Sequence, residues 1–207
     1  MTDAGLGMYI GNNTVIEFEK GAEVVCEYTG GDSGVEENFS IFNASSPADA
    51  FPNYEIIGLK CNAKNIRYCI HDEMSSRNTP YVHKYVDCEM YLDNSASSWT
   101  SPQCIGGGLG KNGRILVSNC IFDGNTAIDN ALVSWHNHWD SESYSDITIC
   151  GNYFIKGTFE MQNYGQQTKN TIGKVCNNSF TANPRIANSD GVPNKMIMYS
   201  WNNEVRN

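Results

Sequence analysis

No apolar run in this 207-residue chain approaches the length of a membrane-spanning helix. No segment sustains apolar residues at a helical period either, which argues against a helix bundle or a helix-covered sheet. Basic residues are scarce: 14 Lys and Arg stand against 23 Asp and Glu, for a net charge of -9 and a pI near 4.8. A surface with that balance repels phosphate backbones and anionic lipid, so nucleic acid and membrane surfaces are disfavoured as partners. No C-x-x-C pair occurs, so the spacing of a zinc site is missing. The glycine run Gly106-Gly107-Gly108-Leu109-Gly110 lacks the Gly-Lys-Ser/Thr ending of a phosphate loop, and no helical pattern comes after it. The opening Met1-Thr2-Asp3-Ala4-Gly5 has no basic stretch leading into an apolar one, so no secretory leader is visible. The expectation is a protein kept inside a cell or virion, or a segment of a longer chain.

The chain is rich instead in turn chemistry and β-forming sequence. Nineteen Gly and many Asn supply tight turns, and aromatics make up 11% of the chain. A mass of 23.0 kDa suits one domain over residues 1–207. The eight cysteines, Cys26, Cys61, Cys69, Cys88, Cys104, Cys120, Cys150 and Cys176, are even in number, which allows a disulfide framework. They recur inside apolar segments, however, as small buried residues do.

Four segments align. They are Val86-Asp87-Cys88-Glu89-Met90-Tyr91, Val117-Ser118-Asn119-Cys120-Ile121-Phe122, Ile149-Cys150-Gly151-Asn152-Tyr153-Phe154 and Val175-Cys176-Asn177-Asn178-Ser179-Phe180. Each opens on a β-branched residue and ends on an aromatic, and their starts lie 31, 32 and 26 residues apart. A weaker copy begins at Ile57. Short strands at this spacing predict a solenoid with one coil per repeat. The fold class expected is all-β, a right-handed parallel β-helix without an evident N-terminal cap; a β-sandwich is the alternative. Stacked coils pair each backbone N–H and C=O with the coils above and below. Asn119, Asn152, Asn177 and Asn178 fall where the chain turns and are expected to form amide ladders.

A second strand in each coil is read at 66–70, 103–105, 131–135, 158–161 and 195–199. The chain turns polar directly after each of these strands: His71-Asp72-Glu73, Gly106-Gly107-Gly108, His136-Asn137-His138, Gln162-Asn163-Tyr164 and Trp201-Asn202-Asn203. Stacking in register would gather these on one edge, with His71 and His136 two coils apart at roughly 10 Å and a glycine notch between. His71, Asp72, Glu73, His136 and His138 are the candidate catalytic groups, as acids, bases or positioning residues. Asp72 and Glu73 are neighbours on an extended chain, so they point to opposite faces and need not share a site. His136 and His138 could also ligate a metal, but only Asp140 offers itself as a third ligand, so no metal and no cofactor is expected. Gly107, Gly108, His83, Asn137, Gln162 and Asn163 are candidate substrate contacts. Trp135, Trp139 and Trp201 join them, because an indole offers a flat face to a sugar ring.

The segments Arg67-Tyr68-Cys69-Ile70-His71-Asp72-Glu73, Pro102-Gln103-Cys104-Ile105-Gly106-Gly107-Gly108-Leu109-Gly110, Val133-Ser134-Trp135-His136-Asn137-His138 and Trp201-Asn202-Asn203-Glu204 resemble the pectate-lyase-like β-helix superfamily. More narrowly they look like the tail-associated β-helix proteins of phages and prophages of gut bacteria. The resemblance implies a polysaccharide or glycan partner, which such proteins bind or cleave by hydrolase or lyase chemistry, a homotrimer, and a place in a virion tail or outside the cell. The Trp-Ile-Asp-His, calcium-aspartate and arginine-base motifs of pectate lyases are missing, as are the Asn-Thr-Asp, Gly-His-Gly and Arg-Ile-Lys motifs of polygalacturonases. No catalytic residue is therefore carried over. A glycan-binding adhesion module without turnover, or a structural spacer, stands beside the enzyme reading.

Overall fold

The computed structural model describes residues 8–27, 40–44, 53–74, 79–93, 102–125, 130–137, 142–165, 167–189 and 191–206. Among these residues the fold is all-β, with no helix, and it is a parallel β-solenoid. Every third strand joins the same sheet, so each rung contributes one strand to each of three parallel sheets. Sheet A stacks β1 (Met8–Tyr9), β4 (Ser40–Asn43), β7 (Tyr68–His71), β10 (Gln103–Gly108), β13 (Ala131–His136), β16 (Thr158–Asn163) and β19 (Arg185–Asn188). Sheet B stacks β2 (Thr14–Glu17), β5 (Tyr54–Ile57), β8 (Tyr81–Val86), β11 (Lys111–Ser118), β14 (Tyr144–Cys150), β17 (Thr171–Cys176) and β20 (Met196–Trp201). Sheet C stacks β3 (Glu23–Glu27), β6 (Lys60–Lys64), β9 (Glu89–Asp93), β12 (Ile121–Asp123), β15 (Tyr153–Lys156), β18 (Ser179–Phe180) and β21 (Glu204–Val205).

Alternation along each strand sends one set of side chains into the coil, where stacking arranges them in columns. Phe42, Ile70, Ile105, Val133 and Phe159 line the interior of sheet A. Ile56, Tyr85, Val117, Ile149 and Val175 do so in sheet B. In sheet C the rings of Phe122, Phe154 and Phe180 stack in succession at centroid distances of 4.9 and 4.7 Å. Each such ring contributes about 1.5–3 kcal/mol by leaving water.

The aligned repeat is a turn between two strands, where one continuous strand was expected. From β5 onward, the last residue of each sheet B strand is followed by one residue at positive φ: Gly58 (69°), Asp87 (54°), Asn119 (56°), Gly151 (75°), Asn177 (56°) and Asn202 (53°). Gly and Asn tolerate this left-handed backbone best. The chain then enters sheet C. The register pairs Val86 with Ser118 and Ser118 with Cys150, so the first copy of the alignment was one residue out of step. In a strand, that slip exchanges the inner and outer faces.

Immediately after the positive-φ residue, a ladder runs along the solenoid through Cys88, Cys120, Asn152 and Asn178, all buried, to the half-buried Asn203. The backbone N–H groups of Cys120, Asn152 and Asn178 each donate to the amide oxygen of the next Asn, all at 2.9 Å. The amide nitrogens of Asn152, Asn178 and Asn203 donate back to the carbonyls of Val117, Ile149 and Val175 at 3.0, 2.9 and 2.8 Å. Cys120 and Cys88 hold the same place with S–H donors to the Tyr85 and Ile56 carbonyls. The expected amide ladder is therefore made by Asn152 and Asn178, while Asn119 and Asn177 serve the turn itself. Replacing Asn178 with Ala leaves the buried Asn152 N–H without its acceptor, at about 1–3 kcal/mol, and takes one donor from the Ile149 carbonyl. The expected result is a lower urea midpoint, with Asn178→Cys losing less than Asn178→Ala because Cys already fills this position at Cys120.

Candidate functional site

The polar residues beyond the sheet A strands are brought together at the end of that sheet. His71 pairs with Gly106, and Gly108 pairs with His136. The Asp72 N–H donates to the Gly106 carbonyl and the Met74 N–H to the Gly108 carbonyl, which continues the register past β7. Asp72 therefore lies beside Gly107, and Glu73 beside Gly108. Two adjacent outer columns result. One runs Glu73, Gly108, His136, Gln162; the other runs His71, Gly106, Ser134, Glu160, Arg185.

His71 and His136 are two rungs apart with glycines on the rung between, as expected. They are also displaced by two residues along the strand, and they meet through Glu73. The Glu73 Oε2 atom lies 3.7 Å from the Nε2 atom of each histidine. All three side chains are about a quarter exposed. Gly108 places no side chain between Glu73 and His136. The His136 Nδ1 atom sits 3.2 Å from the Asn137 carbonyl, so it carries the hydrogen, and Nε2 is the atom turned toward Glu73. Tyr68 stacks on the His71 ring at 4.6 Å; burial pushes its phenol up to about 12. Tyr164 lies 5.8 Å from the His136 ring and donates to Gln162 at 2.8 Å. Glu160 takes hydrogen bonds from Gln162 and Arg185, each at 2.5 Å.

Several expected site residues lie elsewhere. Asp72 points into the coil and is 1% exposed. There its Oδ2 accepts from the Tyr85 hydroxyl at 2.8 Å and the Trp135 indole N–H at 3.1 Å, while the His83 Nδ1 stands 2.8 Å from Oδ1. Tyr54 joins through its hydroxyl contact with Tyr85 and stacks on His83 at 4.0 Å. Burial and then the Asp72 charge push the Tyr54 and Tyr85 phenols well above their ordinary range, so both remain hydrogen-bond donors. Asp72, His83 and Trp135 thus form a core network out of reach of a polymer on the outer face. Gly107 also belongs to the interior.

Asn137 and Asn163 are buried as well. Asn137 donates to Asn163 at 2.6 Å and accepts from the Tyr164 and Gly165 N–H groups, while Asn163 donates to Asn188. Trp201 is exposed but ends β20 in sheet B, where its partner is Cys176. The sequence placed 195–199 with the sheet A strands; the sheet A strand of that rung is β19, Arg185–Asn188. His138 and Trp139 lie outside the described residues, as does Asp140. Of the expected set, His71, Glu73, His136, Gly108 and Gln162 share the outer face. Tyr164 and Glu160 are additions; alternation from His136 would have found Gln162 and Tyr164 together.

A separate groove of about 370 Å³ lies on the outer face of sheet B, with Lys84, Arg114, Asp146 and Lys174 in its lining. Among the described residues no group of three or more His, Cys, Asp or Glu is arranged to hold a metal ion. No protein-family model matches the chain, and no curated protein or solved structure is significantly similar to it.

Proposed function

We propose that the outer face of sheet A binds a polysaccharide, as a glycan-binding module in which turnover is not required. The observation that carries this reading is a partly exposed carboxylate, Glu73, held 3.7 Å from each of two imidazoles, with Gln162 and Tyr164 along the same face. Carboxylate, imidazole, amide and phenol together accept from and donate to sugar hydroxyls, and the ring of Tyr164 offers an apolar surface. Glycoside hydrolysis asks for two carboxyl groups within about 5–9.5 Å. Asp72 faces the core, and Glu160 stands three rungs from Glu73, roughly 14 Å by the spacing of stacked strands. That geometry favours binding over paired-carboxylate hydrolysis. A tail or adhesion module, assembled as a homotrimer, is the setting this reading extends to.

The test is a glycan array followed by calorimetry and product analysis on each hit. Wild-type protein is expected to bind at least one polysaccharide, and Glu73→Gln to bind it at least ten-fold more weakly. That matches about 1.5–3 kcal/mol for hydrogen bonds to a charged group. Equal binding by Glu73→Gln, or no glycan bound at all, removes the proposal. Shortened products from wild type but not from Glu73→Gln would replace it with an enzyme using Glu73 as its proton-transfer group.

A further inference from the structure

At the end of the outer face of sheet B, two thiols oppose each other on adjacent rungs. Cys150 on β14 pairs with Cys176 on β17, and their sulfurs are 2.7 Å apart. Adjacent strands run about 4.8 Å apart, inside the Cα separation a disulfide spans, and closing to a bond of about 2.05 Å requires under 1 Å of movement. Each strand ends here, and Gly151 and Asn177 come next at positive φ, so the backbone leaves the sheet directly after each thiol.

We propose that Cys150 and Cys176 are a redox pair that closes into a disulfide between neighbouring rungs, with Cys150 as the attacking sulfur and Cys176 as the resolving one. The order rests on the hydrogen bonds. The Cys150 sulfur accepts from the Cys176 S–H and, at 3.7 Å, from the Asn177 amide, so Cys150 is the acceptor of the pair and Cys176 the donor. Cys150 is also the more exposed of the two, which gives a reagent its entry. Burial, and after it the hydrogen bond to Cys150, holds the Cys176 thiol up to about 11, so it stays a donor at neutral pH.

The oxidant is a small-molecule disulfide. The Cys150 thiolate attacks one of its sulfurs, forming a mixed disulfide and releasing one thiolate. Cys176 then loses its proton and attacks the Cys150 sulfur, forming the bond between rungs and displacing the second thiolate. Two protein thiols are oxidised and one disulfide is reduced to two thiols. The other described cysteines are placed differently: Cys88 and Cys120 are spent in the turn ladder, Cys61, Cys69 and Cys104 lie in the core, and Cys26 packs half-buried against it.

The experiment treats the folded full chain with oxidised glutathione near pH 8. It then blocks remaining thiols under denaturing conditions and maps tryptic peptides, which separate the two cysteines at Lys156, Lys169 and Lys174. The expected product is a Cys150–Cys176 linked peptide in most molecules, lost on reduction. Cys176→Ser is expected to trap glutathione on Cys150, and Cys150→Ser to leave Cys176 as a thiol. Complete alkylation of both cysteines after oxidation would overturn the pair, as would a crosslink between separate chains. Glutathione on Cys176 in the Cys150→Ser protein would overturn the assigned order.

Discussion

Asp72→Ala is expected to cost about 2–6 kcal/mol, because it leaves the buried Tyr85 hydroxyl and Trp135 indole N–H without their acceptor, at about 1–3 kcal/mol for each. The Tyr85 hydroxyl and the Trp135 indole N–H donate to the Asp72 Oδ2, and the His83 ring stands 2.8 Å from its Oδ1. All of them are fully buried, so water cannot replace the lost acceptor. A domain holds only about 5–15 kcal/mol in total, so a large share of the native stability would go. Asp72→Asn keeps one acceptor oxygen in the same place and is expected to fall between wild type and Ala. A double-mutant cycle with His83→Ala isolates the coupling between ring and carboxylate, which is expected to exceed about 1 kcal/mol for groups in one network. A loss below about 1 kcal/mol for Asp72→Ala, read from urea unfolding, would mean that the network contributes little beyond filling space. Glycan binding serves as a separate readout: if Asp72 acts only in the core, a folded Asp72→Asn protein keeps wild-type affinity.

The architecture was legible because its cause is periodic. β-branched and aromatic residues recur at the pitch of a coil, and the left-handed turn after β8, β11, β14 and β17 is written in Asp87, Asn119, Gly151 and Asn177. The three-sheet cross-section was not legible from the same repeat. A turn only two residues long separates Val86 from Glu89 and Ser118 from Ile121, so two strands read as one. The turn ladder hides its own regularity as well. Cys at 88 and 120 and Asn at 152, 178 and 203 share no side-chain type, only the ability to donate to a carbonyl along the stack.

The candidate site was half legible for a related reason. Alternation correctly separates Asp72 from Glu73, but it does not say which of them faces the core. An acid is ordinarily the outward residue. Here His83 occupies an interior column between Tyr54 and Ile115, and a buried imidazole makes a buried carboxylate tenable. That pairing joins residues on different sheets and becomes visible only when the coil closes. Trp135 looks like a sugar platform in the sequence for the same reason: its partner, Asp72, is more than sixty residues away along the chain.

Gly107→Ala is expected to be at least as damaging as the loss of Asp72. A Cβ at this position would stand 2.1 Å from the Asp72 carbonyl oxygen and 2.4 Å from its carbon. Both are backbone atoms in the neighbouring strand, held by the Asp72 N–H to Gly106 and Met74 N–H to Gly108 hydrogen bonds at 2.9 and 2.7 Å. Relief therefore requires prying β7 from β10, and no rotamer change can supply it. Gly107 also pairs with Trp135, so the missing side chain lies between the indole and the carboxylate it reaches across the intervening rung. Methylating that position strikes the ladder and the network together. The expected cost is on the order of 4 kcal/mol or more, at the exceptional end for one substitution. Gly191→Ala is the control, because nothing lies within 4 Å of its Cβ and only its φ of 75° resists. That substitution should cost about 1–2 kcal/mol. Hydrogen exchange locates the effect: lost protection should centre on the amides of Asp72 and Met74 and spread to the rungs on either side, because each rung is held chiefly by its neighbours. A Gly107→Ala protein with wild-type protection at those two amides would show that the rungs can separate here without loss.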